Sequence, residues 1–422
     1  MVSTRTDVCI VGGGLAGLAC ARLLARQGLG VTLLEATDDV GGRVRTDAVD
    51  GFLLDRGYQV VLTQLPELHH QLDIAALDLQ CYEPGAVVRV HGRFHRIDDP
   101  RRHPARALAT ATAPIGTVAD DLRLLGLVVD LMRTNPRELL RRPDTSTLEA
   151  LRSRGFSEQM IQRFWRPLFA GIQLDPDLEV SSRRFELILA MLAEGAAAHP
   201  AAGVQAIPRL LAAAIPAGVI ECNAPVARID GTTAHLADGR AVEARALVVA
   251  TEGPAAARLL GIADPGSRAE SCVYFAADEA PLPHRMIVLN GSRTGPINNL
   301  AVVSNVAPSY APAGRALVAA VTPGPLVGET AELEAATRRQ LRGWFGRVVD
   351  GWDHLRTYRI AHAHPDQRPG FSPKRRVRLG DGVYVCGDHR DTASTQGALY
   401  SGRRTASAVW SDLQGRRPVD VA

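Results

Sequence analysis

Residues 8–17 read Val-Cys-Ile-Val-Gly-Gly-Gly-Leu-Ala-Gly, an apolar strand running straight into glycines at 12, 14 and 17. A helix-compatible run follows from Leu18 to Gln27, and a second apolar run, Val31 to Leu34, ends on an acid, Glu35. Together these parts admit few folds, because each has its own task around an adenine dinucleotide. Gly12 permits a tight turn, Gly14 removes the Cβ that would block a pyrophosphate, and Gly17 lets helix and strand pack closely. Leu15 and Ala16 belong to the same loop. The helix aims its N-terminal N–H groups and positive dipole end at the phosphates, and Glu35 is placed to accept hydrogen bonds from ribose hydroxyls.

A chain of 422 residues is too long for one compact core and predicts two domains, interleaved along the sequence. A net charge of +3, with basic residues in scattered pairs, gives no support for a nucleic-acid partner. Lys374 is the only lysine among 48 basic residues. The six cysteines form no C-x-x-C pair and no metal spacing, which predicts no metal site and fits a reducing cytoplasm. The first apolar stretch is the dinucleotide strand itself, so no signal peptide is expected. No run approaches the length needed to span a bilayer. The expectation is a cytoplasmic protein, with peripheral membrane contact left open.

Residues 82–97 alternate as a hairpin around His91-Gly92-Arg93, and the signal from about 105 to 198 is helical. Its apolar spacing runs through Leu122, Leu125, Val129 and Met132, and prolines 114, 136, 143, 167 and 176 are expected to divide it. Ala246 to Thr251 reads as a buried parallel strand, residues 272–325 as further strands, and Thr330 to Phe345 as a helix. Gly382 to Asp388 is a strand ending at Gly-Asp, with a helix starting near Gly397. Dinucleotide-type segments therefore stand at the start, middle and end of the chain.

Gly41-Gly42-Arg43 follows the ribose acid; Gly42 allows close backbone approach, and an arginine fork there can meet pyrophosphate oxygens or cover the cofactor. Gly387-Asp388 ends a buried strand, where an aspartate can accept bonds from a ribityl chain. Gln396-Gly397-Ala398 opens a helix whose first N–H groups can face the N1–C2=O edge of an isoalloxazine, where negative charge gathers on reduction. NAD has no use for this second constellation, so an NAD-only dehydrogenase is the weakest reading.

On these residues the chain resembles the superfamily of flavin-containing amine oxidases, carotenoid (phytoene) desaturases and protoporphyrinogen oxidases. Further matches are Leu54-Asp55-Arg56-Gly57, Ala250-Thr251, His199 to Gly203, and Ser401-Gly402-Arg403. Val226 sits where the family contacts adenine through a valine backbone. The resemblance implies an α/β protein with a discontinuous Rossmann-like FAD-binding domain (1–62, 200–265 and 366–422) and an inserted α+β substrate domain (63–199 and 266–365). It implies non-covalent FAD, a small-molecule substrate, and oxygen or quinone as acceptor.

Amine oxidases of this family place a lysine near flavin N5 and an aromatic cage over it. Lys374 lies outside the middle β region where that lysine would fall, and the cage is absent. The expected function is therefore FAD-dependent hydride abstraction from a C–H bond of an apolar or partly apolar molecule, desaturase-like. A peroxide-producing amine or amino-acid oxidase is the alternative within oxidases. A redox-neutral isomerase or a non-catalytic flavin-binding protein is the alternative outside them. No catalytic side chain is assigned; Tyr58, beside Gly57 where the family's chain passes the flavin, and Gln396 are the pocket candidates. His362 and His364 are read as structural or surface groups, His389-Arg390-Asp391 as a solvated loop, and Cys386 as a buried strand residue.

Overall fold

The computed structural model describes residues 3–99, 101–106 and 112–415. Strand β1 (Ser3–Val11) leads into helix α1 (Leu15–Arg26), and β2 (Val31–Leu34) returns parallel to β1 with Val11 opposite Leu34. On the other side of β1 lies the strand Ala241–Val249, also parallel, with Val11 opposite Val249. The strand Val383–Val385 adds to it with Val249 opposite Val385. These runs are continuously apolar because helices cover both faces of such a sheet. Their registers align four strand ends, so Gly12, Glu35, Thr251 and Gly387 emerge at one sheet edge, where open α/β sheets bind ligands.

A second sheet has seven strands, in the order Asp353–Pro365, Ser267–Ala277, Ala316–Pro323, Asn299–Val302, Ile287–Leu289, Gly85–Val90 and Arg93–Asp98. Gly85–Val90 and Arg93–Asp98 form the expected hairpin, with Val90 opposite Arg93. The helix over Thr330–Phe345 falls where the sequence places it. All six cysteines are free. Among the described residues no helix is long and apolar enough to cross a membrane, and none of the His, Cys, Asp and Glu clusters could hold a metal ion.

Residues 107–111, inside the predicted range of the helical block, lie outside the described residues. The rest of the block departs from expectation in two ways. Pro167 does not break its helix: Glu158–Met160, a π-turn over Ile161–Trp165, and Arg166–Gln173 are continuous. The wider turn accommodates the missing Pro167 N–H, and the Arg163 carbonyl faces Gly291, where a Cβ would lie 2.8 Å away. Finally, the apolar spacing at Leu122, Leu125, Val129 and Met132 marks the exposed face of the helix Val118–Arg133, while Leu127, Val128 and Leu131 pack inward. That helix has two apolar faces, and periodicity alone does not tell which one is buried.

Candidate functional site

The glycine loop is built from steric limits. Gly12 has φ of 110°, and a Cβ there would lie 2.9 Å from the Ala250 carbonyl oxygen. A Cβ at Gly17 would overlap the Gly12 carbonyl oxygen. Gly14, which caps α1, differs: a Cβ there would meet no atom within 4 Å. Two glycines are thus demanded by the fold, and the third opens backbone towards free space, beside buried Leu15 and Ala16. The Gly41 N–H donates to the Gly13 carbonyl at 2.9 Å, which seats Gly42 against Gly14.

Glu35 is buried at the end of β2 and already well supplied. Its Oε2 accepts from the Gly13 N–H at 2.7 Å, and its Oε1 accepts from the Thr37 N–H at 2.9 Å and Thr37 Oγ1 at 2.7 Å. A carboxylate has about four lone-pair sites, so capacity for one more donor remains. Val226 opens the strand Val226–Asp230, whose register shifts just after it. Thr251 directly follows the parallel strand Ala241–Val249 and Ala250.

Arg43 and Asp388 meet. Arg43 Nη2 donates to Asp388 Oδ1 at 2.7 Å, and Nη1 donates to the Ala363 carbonyl at 2.6 Å. Burial pushes the Asp388 carboxyl up, but the Arg43 charge and hydrogen bond more than offset this and hold it below the usual carboxylate range. Gly387, with its N–H on Ser401 Oγ at 3.1 Å, sets the strand end.

The last helix, Thr395–Leu413, is capped by Ser394, whose Oγ accepts from the Gly397 N–H at 3.1 Å. The Ala398 N–H bonds the Ser394 carbonyl at 3.0 Å. The N–H groups of Thr395 and Gln396 carry no partner among the described residues and are the donors this terminus offers a ligand. The Gln396 side chain reaches a neighbouring helix: its Oε1 accepts from the Glu67 N–H at 2.8 Å. Arg403 grips the same Glu67 through Nε and Nη2. Gln396 thereby ties the short helix Pro66–Gln71 to the last helix.

Half-buried Tyr58 begins a polar chain, running inward, that sequence reasoning missed. Its Oη lies 2.7 Å from Tyr82 Oη, which lies 2.8 Å from His199 Nε2. His199 Nδ1 faces Asp55 Oδ2 at 3.7 Å, and Asp55 also accepts from Tyr310 Oη at 3.0 Å, Thr46 Oγ1 at 2.7 Å and the Val204 N–H at 3.1 Å. Burial pushes the Tyr58 phenol well above its ordinary range. Arg184 and Glu270 were also missed. Arg184, in the first turn of the helix Ser182–Glu194, donates from Nη2 to the Ala393 carbonyl at 2.8 Å, while its buried Nη1 has no partner. Burial lowers its pKa to about 10. The basic pair Arg183-Arg184 in a helical run, or a lone acid beside an apolar strand, was the only signal available for either.

His364 is half-buried, with its pKa pushed down to about 3 by desolvation and by the nearby charges of Arg184 and Arg43. His362 is exposed, with Nδ1 3.0 Å from Ser267 Oγ. The expectation of a solvated loop at 389–391 fails: His389 is 2% exposed and Asp391 6%. The strand-to-helix turn folds these side chains inward, and burial lowers the His389 pKa to about 4. Cys386 is buried as expected, its thiol pushed up to about 12 by burial.

Comparison with known proteins extends these observations. The chain is 27% identical over 216 residues to a coproporphyrinogen III oxidase of Mycobacterium tuberculosis, covering 49% of this chain and 46% of that protein. It is 42% identical over 83 residues to a putrescine oxidase of Kocuria rosea, covering 19% of this chain and 17% of the relative. The aligned stretches thus span less than half the length of these curated relatives. An oxidoreductase from Methanosarcina mazei superposes with a TM-score of 0.72 at 18% identity, covering 95% of this chain and all of that one, which establishes a shared fold. The family model described as flavin containing amine oxidoreductase matches residues 15–410, from the start of α1 into the last helix. With Gly17, Arg43, the strand-end aspartate and most of the last helix inside that span, the chain belongs to the flavin containing amine oxidoreductase family.

Proposed function

We propose that this protein is an FAD-dependent oxidoreductase that removes hydride from a C–H bond of an apolar or partly apolar small molecule. The observation that carries the reading is the Arg43–Asp388 pair. It joins the loop beside the phosphate-binding glycines to the strand end suited to a ribityl chain. The residues fit FAD on a steric test: backbone is open at Gly14 and closed at Gly12 and Gly17. Backbone around Gly12–Gly17 would hold the pyrophosphate, Glu35 the ribose, Val226 the adenine, Asp388 the ribityl hydroxyls, and the Thr395 and Gln396 N–H groups the N1–C2=O edge. FAD, when bound, supplies the two-electron acceptor. The inert Cys386 thiol offers no covalent anchor.

The two sheets support a cofactor unit of 1–62, 200–265 and 366–422, with a substrate unit of 63–199 and 266–365. Lys374, the only lysine, packs over the Tyr400 ring at 5.8 Å, which favours the desaturase-like reading over a lysine-assisted amine oxidase. The acceptor is oxygen or quinone, and the protein acts in the cytoplasm, at most against a membrane surface. The test starts from purified protein, expected to be yellow with stoichiometric FAD. Gly14→Ala is expected to keep the fold and lose affinity for FAD at least tenfold, about 1.4 kcal/mol. Turnover with quinone, without peroxide from an amine panel, completes it. A colourless folded protein that ignores added FAD, or an equally retentive Gly14→Ala variant, overturns the reading.

A further inference from the structure

One buried acid has no structural partner. Glu270 lies on the strand Ser267–Ala277, is 5% exposed, and makes no side-chain hydrogen bond or ion pair among the described residues. The alternation of the strand puts it on the face of Cys272 and Tyr274. Tyr274 pins that face to the turn after the strand Phe52–Asp55, donating to the carbonyls of Asp55 at 3.0 Å and Gly57 at 3.3 Å. Glu270 is thereby held over Gly57. A Cβ at Gly57 would overlap Glu270 Oε1 and lie 2.7 Å from Ile360 Cδ1. With φ of 89°, Gly57 both needs to be glycine and leaves room for the carboxyl.

The surrounding charges are used elsewhere. Asp55 serves Tyr310 and Thr46, Arg56 and Tyr358 bind Asp47, Tyr58 meets Tyr82, and Arg268 bonds Asp175 and Asp366. On the opposite strand Ile360 faces Glu270, His362 pairs with Ser267, and the third neighbouring strand presents Pro323. Cys272 is the titratable group in electrostatic contact with Glu270. Burying an acid bare is costly, and an amide or an apolar side chain would pack there at less cost.

We propose that Glu270 accepts the proton that leaves the substrate as its C–H bond is oxidised, an inference resting on the FAD oxidoreductase reading above. Converting H–C–X–H to C=X, with X carbon or nitrogen, releases one hydrogen with its electron pair to FAD and the other as a proton to the Glu270 carboxylate. The resulting carboxylic acid then returns its proton to solvent. Burial supports the role by pushing the Glu270 carboxyl up to about 8, where gain and loss of a proton are both accessible near neutrality.

The test uses the FAD-loaded protein and reads the absorbance of the bound flavin between pH 6 and 10. Wild type is expected to show a one-proton transition centred near 8. Glu270→Gln is expected to abolish it, and Glu270→Asp to keep it at a shifted midpoint. Because Gln replaces a group already neutral at pH 6, FAD content and thermal unfolding there are expected to match wild type. A transition that persists in Glu270→Gln, or none in flavin-loaded wild type, overturns the proposal. So does a Glu270→Gln protein that cannot fold or hold FAD at pH 6, since the acid is then structural. Wild type that retains no FAD overturns instead the reading beneath it.

Discussion

Arg43 shows how much one side chain carries. Removing it as Arg43→Met leaves Asp388 buried without its cation, and breaking such a pair costs about 3 kcal/mol. The sign with pH follows from the direction of the shift. The Asp388 carboxyl is held below its ordinary range, so its stabilisation is present above about pH 4 and lost as pH falls through the depressed folded value. Urea unfolding is therefore expected to show the Arg43→Met deficit in full from pH 7 down to about 4 and a shrinking deficit as pH falls below 4. The residues that supply backbone (Gly12, Gly14, Gly17, Gly387) were legible because glycine spacing encodes geometry. Partner choice was not: nothing in the sequence pairs Arg43 with Asp388 or Gln396 Oε1 with the Glu67 N–H. Side chains brought together by folding leave no local pattern.

The elements were legible where one period dominated. The parallel strands read as unbroken apolar runs, and Thr330–Phe345 carried its own helical pattern. The helix Val118–Arg133 was recognised, but its orientation was not, since it has apolar residues on both faces. Pro167 misled because a π-turn removes the clash that normally ends a helix there. The most constrained helix contact is between α1 and the last helix: a Cβ at Gly402 would overlap the Ala16 carbonyl oxygen. Gly402→Ala is expected to force the two helices apart and destabilise the protein by about 2 kcal/mol, measured by urea unfolding. FAD retention is expected to fall with it, since both helix N-termini belong to the candidate cofactor site.

The molecule as a whole is organised by interruption. Its parallel sheet is assembled from segments near residues 10, 33, 245 and 384, and the intervening chain builds the second sheet and the helical block. This layout was readable because dinucleotide-type segments recur at the start, middle and end. The polar chain from Tyr58 through His199 to Asp55 was not, because its members come from three distant stretches. A ligand contacting all these segments stabilises the assembly by mass action. Stripping FAD is expected to lower the unfolding temperature, and FAD at a hundredfold excess over its dissociation constant to restore about 2.7 kcal/mol, followed by calorimetry.

The Arg43–Asp388 pair also sets a clock on the making of this protein. The two residues are separated by 345 positions, and a ribosome adding about 5 to 20 residues per second delivers the second roughly 20 to 70 s after the first. Through that interval the nascent glycine loop stands without its partner strand. Any ligand that needs both residues thus waits until the strand bearing Asp388 has been made.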